Sequence, residues 1–239
     1  MKKRMLVSNE KGHKVLADLR VHRHSVRLNS EENEKFLDKS ETSLGEYLTK
    51  ITVQHLESEQ SQLAAELLHT LGDLERVGDR CINISEVAFY NRDQGIHFSP
   101  EARVELASMT NAVTEILECT LRAYREENAQ AALNIEPLEQ TIDILEETLK
   151  RRHIERLQAG QCNVQGGISF VEVLTNLERI SDHCSNIAMH LTQRLCPDEL
   201  DEHSRRNQLH LADTPEYQEL FEEYQEKYLE PIVGRSGLI

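Results

Sequence analysis

The sequence has no tryptophan, aromatic residues make up only 5% of it, and it contains five prolines and ten glycines among 239 residues. Strands are enriched in aromatic and β-branched side chains, whereas helix interiors avoid proline and glycine. Leu, Glu, Ala and Gln fill long stretches of the chain instead. The composition therefore predicts an all-α protein.

Positive charge is also scarce, since 27 basic residues face 42 acidic ones and the formal net charge is -15. A protein that wraps nucleic acid needs a basic surface to displace counterions from the phosphates, so this charge argues against nucleic acid as a partner. Residues 1–28 are the exception, with eight Lys or Arg against Glu10 and Asp18. Such a segment suits anionic lipid headgroups or an acidic partner, and it equally suits a helix packed on its own acidic bundle.

Cysteines are few and show no pairing pattern. Their number is odd and no CxxC pair occurs among Cys81, Cys119, Cys162, Cys184 and Cys196. This pattern predicts neither a disulfide framework nor a zinc knuckle, and it fits a reducing compartment. The sequence also lacks a run of ~18 apolar residues that could cross a membrane, and its start, MKKRMLVSNEKG, lacks the apolar core of a secretory signal. We therefore expect a cytoplasmic protein that reaches the inner face of a membrane only through a membrane partner.

Apolar residues at steps of three and four predict two amphipathic helices in the first part of the chain. The first begins near Ser30 and carries one apolar face, made of Phe36, Leu37, Leu44, Tyr47, Leu48 and Ile51. The second has Ser58 as its candidate cap, ends near Tyr90 and carries a heptad-like stripe, Leu63, Leu67, Leu71, Leu74, Gly78 and Cys81. We expect these two stripes to be the buried faces of their helices.

Capping signals divide the middle of the chain. Ser99 followed by Pro100 predicts the start of a helix that runs to about Glu127. Another helix covers roughly residues 129–157, and Pro137 predicts a kink or a new start within it.

Glycines and a further cap organise the rest. AGQCNVQGG, residues 159–167, predicts a connection, which is followed by a helix from about Ile168 to Leu195. A last short helix capped at Thr214 carries an aromatic stripe of Tyr217, Phe221, Tyr224 and Tyr228. We expect this stripe to dock on the protein's own bundle or on a partner.

Two segments of the chain match each other without a gap. LGDLERVGDRCINISEVA, residues 71–88, aligns with LTNLERISDHCSNIAMHL, residues 174–191, and eight of the eighteen positions are identical. A match of this length at one offset predicts a duplication. The two related bundles would stack along their apolar stripes and build a core that neither half makes well alone.

The duplication divides the chain into four parts. They are a basic N-terminal segment, residues 1–30, a first repeat, residues 31–96, a second repeat, residues 97–196, and an acidic tail, residues 197–239. By symmetry each repeat should contain three helices, but the first shows only two clearly. We expect residues 11–28 to act as its missing helix, which gives two tandem three-helix bundles and an extra C-terminal helix.

Each repeat carries the pattern E-x-x-x-D with an asparagine four residues later. The two sets are Glu75, Asp79 and Asn83, and Glu178, Asp182 and Asn186. A step of four keeps side chains on one helix face, where like charges oppose each other by ~0.2 to 0.5 kcal/mol even when exposed. A bound cation or a shifted pKa would relieve that repulsion. The alternative is that these carboxylates are ordinary surface ions paired with Arg76, Arg80, Arg179 or His183.

Further ligands for a cation would come from the helix that faces each motif. In the second repeat that helix offers Glu139, Asp143, Glu146 and Glu147, whereas the first repeat offers only Asp38, Glu41 and Glu46. We therefore expect the second site to be the stronger one. Carboxylate oxygens suit magnesium, calcium, manganese or iron better than zinc, and the sequence does not choose among them.

DLERVGD with NIS, and NLERISD with NIA, resemble the paired signature helices of the PhoU family, the phosphate-uptake regulators, over about residues 31–195. LLHTLGDLERVGD, KRRHIERL and GISFVEVLTNLERISDHCSNIA are similar to the cytosolic PhoU-like half of bacterial sodium/phosphate cotransporters. The resemblance implies two three-helix bundles, multinuclear metal clusters on the E-x-x-x-D carboxylates, and a regulatory role beside a membrane phosphate transporter or its sensor kinase. The first helix of the first bundle departs from the family pattern, and the cotransporter's membrane half has no counterpart. A free-standing relative and the tail of a split transporter gene both fit.

Carried over by position, the resemblance implies that the metal residues are Glu75 and Asp79 in the first repeat and Glu178 and Asp182 in the second. Asp73 matches the acid that opens the family motif, and Asn176 replaces that acid in the second repeat. The sequence is also compatible with a homo-oligomer.

Two other function classes are weighed against a metal-binding regulator. A carboxylate-bridged dimetal enzyme in a helical bundle needs two Glu-x-x-His pairs on separate helices, and the repeats contain one, Glu66 to His69. We therefore do not expect an enzyme. A metal-free helical adaptor shares the fold and the partner and differs only in the absence of the metal, so a metal assay separates it from the regulator.

Overall fold

The computed structural model describes residues 32–33, 35–53, 56–196 and 214–234, and these residues form helices with no strand among them. The helices are α1, residues 35–52, α2, Ser58–Asp93, α3, Pro100–Glu126, α4, Ala129–Leu133, α5, Glu136–Gln158, α6, Val164–Leu195, α7, Pro215–Tyr224, and α8, Glu230–Val233. A π-helical turn, Gln225–Leu229, joins α7 to α8. The predicted all-α class is confirmed. None of the described helices combines the length and the hydrophobicity that a membrane span requires.

Three of the predicted helix starts are confirmed by their capping contacts. The Ser99 side chain accepts a hydrogen bond from the backbone N–H of Ala102 at 3.2 Å, and α3 begins at the next residue. Pro137 lies in the first turn of α5 and so marks a new start after α4. The Thr214 side chain accepts from the backbone N–H of Tyr217 and caps α7. These caps are local, which is why the sequence shows them.

The predicted start of α6 at about Ile168 is wrong by four residues. The Asn163 side chain accepts a hydrogen bond from the backbone N–H of Gly166 at 2.6 Å, and α6 begins at Val164. A β-carbon at Gly167 would lie 2.5 Å from Nε2 of His153. Glycine at this position therefore allows α6 to approach α5 closely, and it does not mark a connection.

The start of α2 also differs by one residue from the prediction. Glu57, and not Ser58, is the N-cap, and its backbone N–H donates to the Gln60 side chain at 3.2 Å. The contact is the reciprocal half of a capping box, in which the third helical residue reaches back to the cap.

The hydrophobic core lies between α3, α5 and α6, the three long helices of the second repeat. Its fully buried side chains include Met109, Ile116, Leu138, Ile142, Leu145, Leu149, Phe170, Leu174, Ile180 and Leu191. Burial of each is worth ~1.5 to 3 kcal/mol. The second repeat is thus a three-helix bundle with its own core.

Helix α2 runs antiparallel to α6 and attaches the first repeat to this bundle. The contacts that show this are Glu66 with Arg194, Asp73 with His183, Asn83 with Asn176, and Asn91 with Ser169. Residue numbers rise along α2 as they fall along α6. The face of α2 that packs on α6 is therefore largely polar.

The apolar stripes predicted as buried faces in the first repeat are largely uncovered by the described part of the chain. On α1, Phe36 is 70% exposed and Tyr47 is 61% exposed. On α2, Leu63 is 40% exposed and Cys81 is exposed, whereas Glu66 is buried. Helix α2 turns its polar face towards α6, and its leucine stripe faces α1 instead.

Helix α1 contacts the leucine side of α2. A β-carbon at Gly78 would lie 2.5 Å from a terminal carbon of Leu37, so the two helices approach closely there. The third helix predicted for this repeat, residues 11–28, lies outside the described residues.

The C-terminal segment from α7 to α8 docks on α5 and α3. Tyr217 and Tyr228 are each only 6% exposed. The Ser108 hydroxyl of α3 donates to the backbone oxygen of Tyr228 at 2.8 Å, and the Lys227 ammonium lies 2.8 Å from the carboxylate of Glu115. The predicted aromatic stripe therefore packs on the protein's own bundle.

Candidate metal centre

Helices α5 and α6 bring three carboxylates together on their shared face. One oxygen each of Glu139, Asp143 and Asp182 lie within 4.8 Å of one another, and all three side chains are half-buried. Glu139 and Asp143 are four residues apart on α5 and so project from the same face. Oδ1 of Asp143 is buried and has no hydrogen-bond partner among the described residues.

Burial and mutual repulsion raise the pKa of these acids. Burial is the largest cause for Glu139, whose pKa rises to about 8, and Asp143 is the next cause. Burial, followed by the charge of Asp182, raises the pKa of Asp143 to about 6. Negative charge in this cluster is therefore under-compensated by the protein, and a cation would stabilise the ionised form.

Glu178 lies at the edge of the same cluster. Burial and then the charge of Asp182 raise its pKa to about 7, and Asp143 contributes as well. Arg179 reaches both acids of the motif, at 3.0 Å from Asp182 and 3.5 Å from Glu178. The Arg179 side chain is 54% exposed, so its compensation is weakened by solvent. The pairing of Glu178 with Arg179 that the surface-ion alternative predicts is thus present. Arg179 does not pair with Asp143 or Glu139.

Two neighbours of the cluster were missed by the sequence analysis. Glu136 begins α5, accepts a hydrogen bond from the Ser185 hydroxyl at 2.8 Å and raises the pKa of Glu139. Its spacing of three residues from Glu139 is a signal that could have found it. The second is Tyr217 of α7, whose buried hydroxyl has no hydrogen-bond partner among the described residues. Burial raises its pKa, and so do the charges of Glu136 and Glu139.

The other acids predicted on α5 are occupied or exposed. Glu146 is buried and pairs with Lys150, whereas Glu147 is exposed to solvent. Glu146 adds to the negative potential at Asp143 but has its own counter-ion.

The E-x-x-x-D motif of the first repeat lies on a more open surface. Burial, followed by the charges of Asp79, Asp38 and Glu41, raises the pKa of Glu75. Asp79 is exposed. The structure thus places acids from α1 and α2 near one another, as the sequence predicts, but with less shielding from water than in the second repeat.

Asp73 belongs to a different environment from Glu75 and Asp79. It is 5% exposed, and its carboxylate lies 3.0 Å from Nδ1 of His183 and 3.9 Å from Nε2 of His190. Two helical residues turn through about 200°, so Asp73 and Glu75 occupy opposite faces of α2. The prediction that Asp73 joins the metal residues is therefore not supported by its position, and His183 contacts Asp73 and not Glu178.

The single Glu-x-x-His pair of the repeats also faces α6. Arg194 donates a hydrogen bond to Glu66, and the ring of His69 stacks on that of His190 at 4.6 Å. Neither residue is among the three carboxylates that converge between α5 and α6.

The donor set between α5 and α6 fits a hard cation. It consists of carboxylate oxygens, one of them buried and without a partner, and it includes no cysteine or histidine among the described residues. Magnesium, calcium, manganese and iron bind such ligands more readily than zinc does.

Comparisons with known proteins agree with this architecture. Residues 106–191 match the PhoU domain. Phosphate-specific transport system accessory protein PhoU homolog 1 of Thermotoga maritima is 27% identical over 121 residues, 51% of each chain. A PhoU homolog of Pseudomonas putida is 29% identical over 116 residues, 48% of this chain and 44% of its own. The chain thus spans about half the length of these two relatives.

Two further relatives cover more of the molecule. A PhoU homolog of Deinococcus radiodurans is 23% identical over 188 residues, 77% of this chain and 86% of its own. The crystal structure of PhoU from Pseudomonas aeruginosa shares the fold with a TM-score of 0.65 at 22% identity, over 70% of this chain and 80% of that one. The chain is therefore similar to PhoU proteins in sequence and fold, and its match to the PhoU domain spans residues 106–191.

Proposed function

We propose that this chain is a non-catalytic, cytoplasmic regulator of phosphate transport, and that the cluster of Glu139, Asp143 and Asp182 binds a divalent or trivalent metal ion. The observation that carries the metal proposal is the convergence of three carboxylates at one of the two duplicated motifs. The role in transport is supported by relatives that are named as accessory proteins of a phosphate-specific transport system.

The partner we propose is a membrane phosphate transporter, with a sodium-dependent cotransporter preferred over a sensor kinase. The preference rests on the resemblance of LLHTLGDLERVGD, KRRHIERL and GISFVEVLTNLERISDHCSNIA to the cytosolic half of such cotransporters. Through this contact the protein would reside at the inner face of the membrane.

A metal in the cluster would change how α5 and α6 interact. Without it, Glu139 and Asp143 repel Asp182 across the interface. A cation bound to all three would replace this repulsion by attraction and hold the helices together, and because it binds the folded state it would stabilise the protein by mass action. Glu178 lies close enough to supply a further oxygen.

Calorimetric titration of the chelator-treated protein with Mn²⁺ and Mg²⁺ tests the metal site. Asp182→Asn is expected to abolish the tighter binding event, while Asp79→Asn is expected to leave it intact and to affect only a weaker one. Glu147→Gln, on an exposed position of α5, serves as the control. Absence of metal binding in the unaltered protein would favour the metal-free adaptor.

Phosphate uptake tests the transport role separately. The neighbouring reading frames should include a phosphate transporter, and co-expression of that transporter with the chain in a transport-deficient strain is expected to change the uptake rate of radiolabelled phosphate. Asp182→Asn should remove the effect if the metal is required. Uptake that is identical with and without the chain would contradict the regulatory role, whatever the metal assay shows.

A further inference from the structure

The C-terminal segment packs against the repeat whose acids converge. Helix α7 contacts α5, the helix that carries Glu139 and Asp143, and the π-helical turn after it contacts α5 and α3. By contrast, Asp79 of the first-repeat motif is exposed. An element from outside the duplicated repeats therefore lies against the helix that supplies two of the three acids.

Tyr217 of α7 has a buried hydroxyl without a partner. The residue is 6% exposed, and its ring stacks on that of Phe221 with 6.1 Å between the ring centroids. The hydroxyl oxygen has no hydrogen-bond partner among the described residues. Because an unpaired buried polar group costs free energy, native structures seldom contain one. The hydroxyl therefore indicates a second state of the site, in which an acceptor reaches it.

Tyr228 of the same segment shows the ordinary arrangement of a buried tyrosine. It is also 6% exposed, but its hydroxyl donates a hydrogen bond to the Glu115 carboxylate of α3. The Lys227 ammonium pairs with the same carboxylate at 2.8 Å. These contacts hold the segment on the bundle without any contribution from the Tyr217 hydroxyl.

Two carboxylates of α5 are neighbours of the Tyr217 hydroxyl. The charges of Glu136 and Glu139 add to the effect of burial in raising the pKa of Tyr217. Glu136 already accepts a hydrogen bond from the Ser185 hydroxyl at 2.8 Å. The Glu139 carboxylate accepts none from the described residues. Glu139 is thus the neighbour whose oxygens are still available to a donor.

A carboxylate that holds a metal ion normally has a hydrogen-bond donor on its other side. An ionised carboxylate offers about four lone-pair sites on two oxygens, so an ion on one oxygen leaves the other to accept a hydrogen bond. Such donors orient the ligand, and their loss lowers metal affinity by about 10- to 100-fold. The Tyr217 hydroxyl is a buried donor of this kind beside Glu139.

We propose that Tyr217 is a positioning residue of the metal centre, whose hydroxyl donates a hydrogen bond to the Glu139 carboxylate when that carboxylate binds a cation. The inference rests on the metal site proposed above. It also couples the site to α7, because coupling between two binding events is reciprocal. If the hydrogen bond raises the affinity for the cation by some factor, the cation strengthens the docking of α7 by the same factor.

Tyr217→Phe is the informative variant because it keeps the ring and removes only the hydroxyl. With EDTA present, the loss of an unpaired buried hydroxyl should leave the melting temperature unchanged or raise it. Tyr228→Phe is the matched control, since it has the same burial and lies in the same segment but loses an existing hydrogen bond to Glu115. It should lower the melting temperature and leave the metal site intact.

Calorimetric titration of the chelator-treated proteins with Mn²⁺ gives the affinities. We expect Tyr217→Phe to bind Mn²⁺ at least about fivefold more weakly than the unaltered protein, and Tyr228→Phe to stay within about twofold of it. A variant that is no less stable without metal and yet binds the metal more weakly cannot owe that weakness to damaged packing.

Hydrogen exchange of the α7 amides, followed by mass spectrometry, measures the coupling. Mn²⁺ should slow this exchange in the unaltered protein and in Tyr228→Phe. In Tyr217→Phe the slowing should be smaller, by about the same factor as the loss of affinity.

The outcomes separate this inference from the proposed function. Absence of Mn²⁺ binding in the unaltered protein would overturn the metal site and, with it, the role of Tyr217. Binding of Mn²⁺ with equal affinity by Tyr217→Phe and the unaltered protein would overturn the role of Tyr217 alone. An equal loss of affinity in both variants would also overturn it, because the cause would then be a loosened C-terminal segment.

Discussion

Replacement of Glu139 by glutamine is expected to stabilise the metal-free protein near neutral pH. Glu139 contacts α6 from a half-buried position, and burial together with Asp143, Glu136 and Asp182 raises its pKa from 4.5 to about 8. In the unfolded chain the same carboxyl ionises near its ordinary pKa. The folded protein therefore binds a proton that the unfolded chain releases, and stability falls as the pH rises from 4.5 towards 8.

The size of the effect follows from this shift. A pH of 7 lies 2.5 units above the ordinary pKa of 4.5 for this carboxyl. At 1.36 kcal/mol per unit, Glu139 therefore lowers the free energy of unfolding at pH 7 by at most ~3.4 kcal/mol. Part of the repulsion is shared with Asp143 and Asp182, so we expect a gain of ~2 kcal/mol from Glu139→Gln. For a protein of this size that gain raises the melting temperature by ~4 to 8 °C.

Urea unfolding in the presence of EDTA at pH 4.5, 6, 7 and 8 measures the effect. The gain should be small at pH 4.5, where the folded carboxyl is protonated and only half of the unfolded chains have ionised, and it should grow towards pH 8. Added Mn²⁺ should make the unaltered protein the more stable of the two. The ion stabilises the folded state by binding to it, and Glu139→Gln binds it more weakly because one carboxylate is missing.

Glu155→Gln is the matched control, since Glu155 is an exposed residue of the same helix. It should change stability by less than ~0.5 kcal/mol at every pH. A gain for Glu139→Gln that does not depend on pH, or a loss at pH 7 without metal, would refute the view that the cluster is under-compensated.

Three further predictions concern packing and buried ion pairs. In urea unfolding, Gly167→Ala should destabilise the protein by ~1 to 3 kcal/mol, because the new β-carbon would lie 2.5 Å from the buried ring of His153. Gly72→Ala should instead stabilise it by ~0.5 to 1 kcal/mol, because a β-carbon at Gly72 would have no neighbouring atom within 4 Å. Tyr228→Ala should cost ~3 to 5 kcal/mol by calorimetry, since the ring is buried, and Tyr228→Phe only ~1 kcal/mol for the hydrogen bond to Glu115; equal losses would show that the ring contributes nothing. Arg156→Met should cost ~3 to 5 kcal/mol in thermal unfolding, because it leaves the buried Glu105 under-paired; a neutral effect would show that Arg152 suffices.

Caps and periodicity could be predicted from the sequence because both are local. Ser99, Thr214 and Pro137 act on backbone groups within four residues, so their effects do not depend on the rest of the fold. The start of α6 was misplaced for a related reason. A glycine such as Gly167 indicates a turn unless a neighbouring helix requires close approach, and that neighbour, α5, is determined only by the tertiary structure.

The carboxylate cluster was partly predictable. The duplication identified Glu178 and Asp182, and a helical step of four related Glu139 to Asp143, so the acids of each helix were known. That Glu139, Asp143 and Asp182 converge, and that Glu178 lies at their edge beside Arg179, depends on how α5 and α6 are rotated against each other.

The helical class, the duplication and the identity of the acidic motifs could be predicted without a structure, because composition, internal similarity and spacing are properties of the chain alone. The face of α2 that meets α6 could not be predicted, and in the fold it is a polar face and not the leucine stripe. The fold also places Asp73 against His183 and Tyr217 near Glu136 and Glu139. A side chain's partner across an interface depends on helix rotation and offset, and these are set by the packing of residues far apart in the sequence.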